Sequence, residues 1–165
     1  MRVKSCLLLT AVALGLWVMA AADPLHAECK VIWLFGIPCR EVFVALVNQI
    51  KAWRTESGCT AGGEKCLYEL VSARPLLITA KHTSRRRDNV EDLSFALRPT
   101  EQDLACRVTG VSTSESWFML ADNGTNYCTL YNLIEGSGLV DAEGYKQYTN
   151  EWICLDYFTA NCTIY

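Results

Sequence analysis

Residues 38–53 read Pro-Cys-Arg-Glu-Val-Phe-Val-Ala-Leu-Val-Asn-Gln-Ile-Lys-Ala-Trp, and the period of this stretch decides the fold class. Apolar side chains recur at Val42, Phe43, Leu46, Val47, Ile50 and Trp53, which places them on one helical face, while Asn48, Gln49 and Lys51 fall on the opposite flank. Pro38 suits a first helical turn, where its missing N–H is not needed, and Glu41 sets a negative charge near the positive end of the helix dipole. Ser57-Gly58 ends the segment. The helix has one side to bury, and the rest of the chain must supply the surface that buries it.

That surface is read in the flanks. Before the helix, Lys30 to Gly36 is a short apolar run with β-branched and aromatic residues, bounded by Gly36 and Pro38, and it predicts a strand covered on both faces. From Cys66 onward the rhythm changes to period two. Strands are expected over Cys66–Val71, Leu76–Thr83, Val90–Arg98, Ala105–Thr113 and Glu115–Ala121, with short polar connections compatible with antiparallel hairpins. After Asp122 the residues Tyr127, Leu130, Tyr131 and Ile134 match helical spacing, whereas Tyr127, Thr129, Tyr131 and Leu133 share one strand face. The Asn123-Gly124 pair is a hairpin signal, so the reading favours a strand there. Gly136 to Gly138 opens a loop, and Glu151–Tyr157 with Cys162–Tyr165 is expected to form a final hairpin or a strand with a tied-down tail. The fold class is thus α+β: one long amphipathic helix packed on a curved antiparallel sheet of six to eight strands.

The N-terminus has a basic start at Arg2 and Lys4, an apolar run from about Cys6 to Met19, and small residues at Ala20, Ala21 and Ala22, the pattern of a cleavable signal peptide over residues 1–22. Residues 23–165 are then expected to form a single secreted disulfide-rich globular domain. Of nine cysteines, Cys6 leaves with the leader, and Cys29, Cys39, Cys59, Cys66, Cys106, Cys128, Cys154 and Cys162 remain for four bridges. Sequence proximity suggests Cys59 with Cys66 and Cys154 with Cys162. Cys29 and Cys39 flank an extended segment that carries them apart, so both are expected to bridge to distant elements. No Cys-x-x-Cys occurs and only His26 and His82 are present, so no metal site is expected.

Losing Arg2 and Lys4 takes the formal charge from −3 to −5, which argues against a nucleic-acid or anionic-membrane partner. No stretch after the leader reaches the roughly 18 consecutive apolar residues of a bilayer span, so no stable membrane insertion is expected. Asn123-Gly124-Thr125 and Asn161-Cys162-Thr163 fit the N-glycan acceptor pattern, with Asn123 the favoured site.

Candidate chemistry is sparse. His82 lies by period two with Leu76, Ile78 and Ala80, and no Gly-x-Ser-x-Gly elbow or phosphate-cradling loop accompanies it, so no cofactor and no catalytic residue are assigned. The carboxylate pairs Glu91-Asp92, Glu101 with Asp103, and Glu28 with Glu41 are read as solvent-facing. Arg85, Arg86 and Arg87 lie at a hairpin tip, and Lys81, His82 and Arg74 are expected to join them in a compact positive spot suited to an acidic protein or a sulfated glycan.

The order strand, helix, antiparallel sheet with disulfides resembles that of secreted cystatins. Where their Gln-x-Val-x-Gly loop would stand the chain reads Arg74-Pro75-Leu76-Leu77-Ile78, so the resemblance implies a cystatin-like fold without the inhibitory motif. Trp117-Phe118-Met119-Leu120-Ala121-Asp122 followed by Asn126-Tyr127-Cys128-Thr129-Leu130-Tyr131 is similar to the paired strands of lipocalins and implies, as the alternative architecture, a lipocalin-like β-barrel. Both shapes hold ligands between sheet and helix. The sequence therefore favours a secreted, non-enzymatic carrier of a small apolar ligand, lined by Trp33, Phe43, Phe95 and Trp117. The alternatives are an extracellular protein-recognition or inhibitor module and a small secreted hydrolase.

Overall fold

The computed structural model describes residues 26–59, 63–85, 89–100, 104–116 and 122–163. The leader, Arg86, Arg87, Glu101, Asp103 and Trp117 lie outside these residues, as does most of the strand expected to end at Ala121. The elements run β1 (Glu28–Phe35), α1 (Cys39–Ala52), β2 (Tyr68–Arg74), β3 (Leu77–Thr83), β4 (Val90–Pro99), β5 (Cys106–Ser114), α2 (Thr125–Gly136) and β6 (Lys146–Tyr148). The strands form one antiparallel sheet in the order β2-β3-β4-β5-β1-β6. β2 and β6 are its two edges and do not pair, so the sheet is open and the lipocalin-like barrel is ruled out.

The helix read from residues 38–53 forms over Cys39–Ala52 and buries Val42, Leu46, Val47 and Ile50. β1 sits between β5 and β6, which explains its apolar composition. Only one of its faces is fully buried, however, with Cys29, Val31, Trp33 and Phe35 turned inward and Glu28 and Lys30 exposed. The inward faces of β3, β4 and β5 add Ile78, Ala80, Leu93, Phe95, Leu97 and Val108 to the same core. Each large apolar side chain buried in this way is worth about 2 kcal/mol.

The segment after Asp122 is a helix, not the strand that the Asn123-Gly124 pair suggested. Asn123 and Gly124 do take the left-handed conformation a tight hairpin would use, with φ of 53° and 74°. Asp122 then captures the chain for a helix: its Oδ1 accepts from the Gly124 N–H at 2.9 Å and its Oδ2 from the Asn126 N–H at 2.9 Å. These bonds satisfy N–H groups that a helix start leaves open. α2 buries Tyr127, Cys128, Leu130, Leu133 and Ile134 together with Asn126, Thr129 and Asn132. A helix covered on most sides carries little of the one-faced period by which α1 was legible.

The C-terminal segment forms neither a final hairpin nor a closing strand. β6 pairs with β1 through Ile32 and Tyr148, Trp33 and Gln147, and Leu34 and Lys146. Beyond it the chain turns back along β1, with Lys30 N–H donating to Ile153 O at 2.6 Å and Leu155 N–H to Glu28 O at 3.3 Å.

Four disulfides fasten these parts: Cys29–Cys154, Cys39–Cys106, Cys59–Cys66 and Cys128–Cys162. Cys154 and Cys162 are not partners, because the C-terminal segment lies between β1 and α2 and is tied to each of them. The Cys29–Cys154 bridge spans 125 residues, for which chain entropy alone gives about 5 kcal/mol, against roughly 2.4 kcal/mol for the seven-residue separation of Cys59–Cys66. No helix among the described residues is long and apolar enough to cross a membrane.

Candidate functional site

The end of the sheet that carries Thr83, Val90, Ser114 and Glu28 gathers most of the chain's buried polar groups. The strand registers put these four residues in a row, with Thr83 opposite Val90, Glu91 opposite Ser114, and Glu28 opposite Thr113. His82, the penultimate residue of β3, is fully buried here. Its Nδ1 lies 2.7 Å from Glu91 Oε2 and its Nε2 lies 3.0 Å from the Glu64 carbonyl oxygen. Two acceptors thus face the two ring nitrogens.

The network continues on both sides of that pair. Ser84 Oγ donates to Glu64 Oε1 at 3.3 Å, and the Arg85 N–H donates to Glu64 Oε2 at 3.1 Å. Asn89 Nδ2 donates to Glu91 Oε1 at 3.1 Å and to Ser114 Oγ at 3.3 Å, while Ser116 Oγ donates to Asn89 Oδ1 at 2.6 Å. Asn126 Nδ2 reaches Ser114 Oγ, Asp122 Oδ2 and Ala27 O, and Ser112 Oγ donates to Asn126 Oδ1. One continuous set of bonds therefore links the loop before β2, the β3–β4 connection, the end of β5 and the start of α2. A buried network of this kind holds four separate chain segments in one arrangement, since each unmade bond would leave a desolvated polar group.

The surroundings of the tyrosines are apolar. Tyr68 meets His82 in a tilted contact with ring centroids 4.5 Å apart, and burial, with Glu91 and Glu64 nearby, holds its phenol well above the usual tyrosine range. Burial pushes Tyr127 up to about 12 and raises Tyr131 and Tyr145 as well. Asn132 on α2 is 1% exposed, and neither its Nδ2 nor its Oδ1 has a hydrogen-bond partner among the described residues.

The surface of the same sheet end shows one feature absent from the sequence reading. Trp152 is 96% exposed, held by its N–H to Asn150 Oδ1 at 2.9 Å, two residues before the Cys154 that is bonded to Cys29. Ile153 and, on β6, Tyr148 are also exposed in this part of the chain. Single exposed apolar residues are ordinary, and a tryptophan this exposed next to a disulfide-anchored segment is a candidate for surface recognition.

The sequence-derived candidates are distributed unevenly. Trp33 and Phe95 come together in the core, with ring centroids 6.4 Å apart, and Trp33 Nε1 donates to Gln147 Oε1 at 2.8 Å. Phe43 is half-buried on α1, and Trp117 lies outside the described residues. Arg85 is exposed at the sheet end, and Asn123 and Asn161 are both exposed. The compact positive spot does not assemble. Arg74 lies at the β2–β3 turn, about 20 Å along β3 from Thr83. Lys81 is paired with Glu115 and Asp92, which hold its ammonium above the usual lysine range, and His82 is buried between carboxylates. Glu91 is likewise buried and not solvent-facing.

Among the described residues, a hollow of about 250 Å³ lies where α1 meets β2, beside Ile50, Arg54, Tyr68 and Leu70, and two others lie on outer faces. One of about 670 Å³ runs along the outer side of α1 beside Arg40, Glu41 and Val44, and one of about 270 Å³ lies on the outer sheet face beside Thr79, Asp92 and Ser94. No protein-family model matches the sequence, and no curated protein matches it.

Proposed function

We propose that this protein is a secreted, non-enzymatic recognition module that binds an extracellular protein through the sheet end displaying Trp152 and Arg85. The exposure of Trp152 carries the reading. Tryptophan and arginine are the side chains that most often dominate binding energy at protein interfaces, and a tryptophan fixed between a backbone bond and a disulfide loses little freedom on docking. Arg85 follows Thr83 on β3, while Trp152 precedes the segment laid against Glu28 and Lys30 on β1. That segment lies on the far side of β1 from β5, about four strand spacings or about 19 Å from β3, a span that suits one protein partner. The buried network beneath ties Ser84, Asn89 and Ser116 to this end of the sheet.

This reading displaces the carrier of a small apolar ligand from first place, because Trp33 and Phe95, its expected lining, are packed against each other in the core. A hydrolase is disfavoured by His82, whose two nitrogens both face acceptors and leave none to receive a proton from a nucleophile. The eight cysteines, all paired, and the leader-like N-terminus support secretion.

The test is saturable binding of fluorescently labelled protein to a panel of cell types, repeated with Trp152→Ser and with Arg85→Glu. Each variant is expected to weaken binding at least about tenfold with an unchanged melting temperature. Full binding by both variants would refute the proposal.

A further inference from the structure

We infer that Phe158 is the stacking platform for an N-linked glycan carried by Asn161. Phe158 is 77% exposed, yet it is the outermost ring of a chain of aromatic contacts. Tyr131 stacks on Tyr127 with centroids 5.6 Å apart, Tyr127 meets Tyr157 edge-on at 4.8 Å, and Tyr157 meets Phe158 at 5.4 Å. The Phe158 N–H is also fixed by Glu151 Oε1 at 2.6 Å. A ring held so firmly and left facing water is positioned for an occupant.

Asn161 supplies one three residues further on. It is followed by Cys162, which is bonded to Cys128 of α2, and then by Thr163. The Thr163 N–H donates to Asn161 Oδ1 at 3.2 Å and the Thr163 hydroxyl donates to the same oxygen at 2.6 Å. Two donors on Oδ1 draw electron density onto the oxygen and raise the acidity of the Nδ2 hydrogens, where the sugar bond forms. In the transfer, Nδ2 attacks C1 of the first sugar of a polyprenyl-diphosphate-linked oligosaccharide. The Nδ2–C1 bond forms, the C1–O bond to phosphate breaks, one Nδ2 proton leaves, and the lipid diphosphate departs with the bonding pair. The first sugar then lies within reach of Phe158, and the C–H face of a pyranose covers an aromatic ring as another apolar group would.

The second acceptor sequence lacks this preparation. Asn123 is exposed in the left-handed conformation, and the Thr125 hydroxyl is buried, donating to Asp122 O at 2.6 Å instead of meeting the Asn123 amide. Asn161 is therefore the principal glycan site, contrary to the preference for Asn123 drawn from the sequence. This inference rests on the proposal that the chain is secreted.

The experiment is expression in cultured animal cells, with glycopeptide mass mapping and melting curves for wild type, Asn161→Gln, Phe158→Ala and the double variant. The expected result is Asn161 occupied in disulfide-bonded protein from the medium. Asn161→Gln should lower the melting temperature by about 3 °C when Phe158 is present, and by less than about 1 °C in the Phe158→Ala background. Bare Asn161 in secreted, folded protein, or an equal drop in both backgrounds, would overturn the inference while leaving the secreted reading intact. A chain retained in the cytosol with reduced cysteines would overturn both, so the location of the protein tells the two failures apart.

Discussion

Trp33 lies directly over Gly110: a Cβ at that glycine would stand 2.6 Å from Cζ3 of the indole. Gly110 is opposite Val31 on the neighbouring strand, and Phe95 presses on the other side of the same space. The absent side chain at position 110 is what lets the largest residue of β1 lie flat against the sheet.

Gly110→Ala is accordingly expected to destabilise the protein by about 1–3 kcal/mol, the usual cost of overfilling a packed interior. Denaturant unfolding should show a lower midpoint with an unchanged slope. An unchanged midpoint would mean that Trp33 has room to move aside and that the interior holds spare volume.

Glu91→Gln is expected to cost about 1–3 kcal/mol, because it removes a fully buried carboxylate that lies 2.7 Å from His82 Nδ1 and accepts from Asn89 Nδ2. His82→Leu should cost a comparable amount by leaving Glu91 unpaired. Combining it with Glu91→Leu should recover a substantial part, so a double-mutant cycle should give a large coupling energy. Additive losses would show that the two groups do not act as a pair.

Alkaline pH should unfold the protein through its tyrosines. Burial raises Tyr68, Tyr127, Tyr131 and Tyr145 above their ordinary value of 10, Tyr127 to about 12. A phenol whose folded value lies above its unfolded one favours the folded chain fully below pH 10, and that advantage is lost as pH rises through the folded value near 12. Unfolding free energy should fall between about pH 10 and 12, with tyrosinate absorbance appearing later than in the denatured chain. Native tyrosines that all titrate near pH 10 would contradict this.

Asn132→Leu is expected to be neutral or stabilising by about 1 kcal/mol, since the buried amide makes no hydrogen bond of good geometry, only a weak approach to the Tyr68 hydroxyl, and an apolar side chain of similar size removes that cost. A loss above about 2 kcal/mol, measured by urea unfolding, would show that the amide is held by a partner in solution.

Much of this architecture is legible in the residues, and the places where it is not share a physical cause. α1 and the strands β3, β4 and β5 announce themselves because each buries one face and leaves the other in water, and β1 does so by its apolar run, which overstates how far its second face is covered. α2 does not, because it is covered on most sides and its polar residues Asn126, Thr129 and Asn132 are buried with the rest. Its Asn123-Gly124 entry uses the same left-handed conformation as a hairpin, and only the carboxylate of Asp122 turns the outcome to a helix. The buried network was partly readable. Glu91 is in phase with Leu93, Phe95 and Leu97, and Ser112 and Ser114 are in phase with Val108, so strict alternation already places them inward. Reading charge as exposure hid them. The display of Trp152 was not readable, because it depends on where the Cys29–Cys154 bridge leaves the chain, and bridge partners are set by tertiary folding.

Trp33, Phe95 and their neighbours fill the described core, and the proposed binding surface lies outside it. Native mass spectrometry of protein purified from culture medium tests this arrangement most directly. The account predicts the mass of the polypeptide with four disulfides and its glycan, and nothing else retained. A small apolar molecule that stays bound through purification and is released only on denaturation would contradict it.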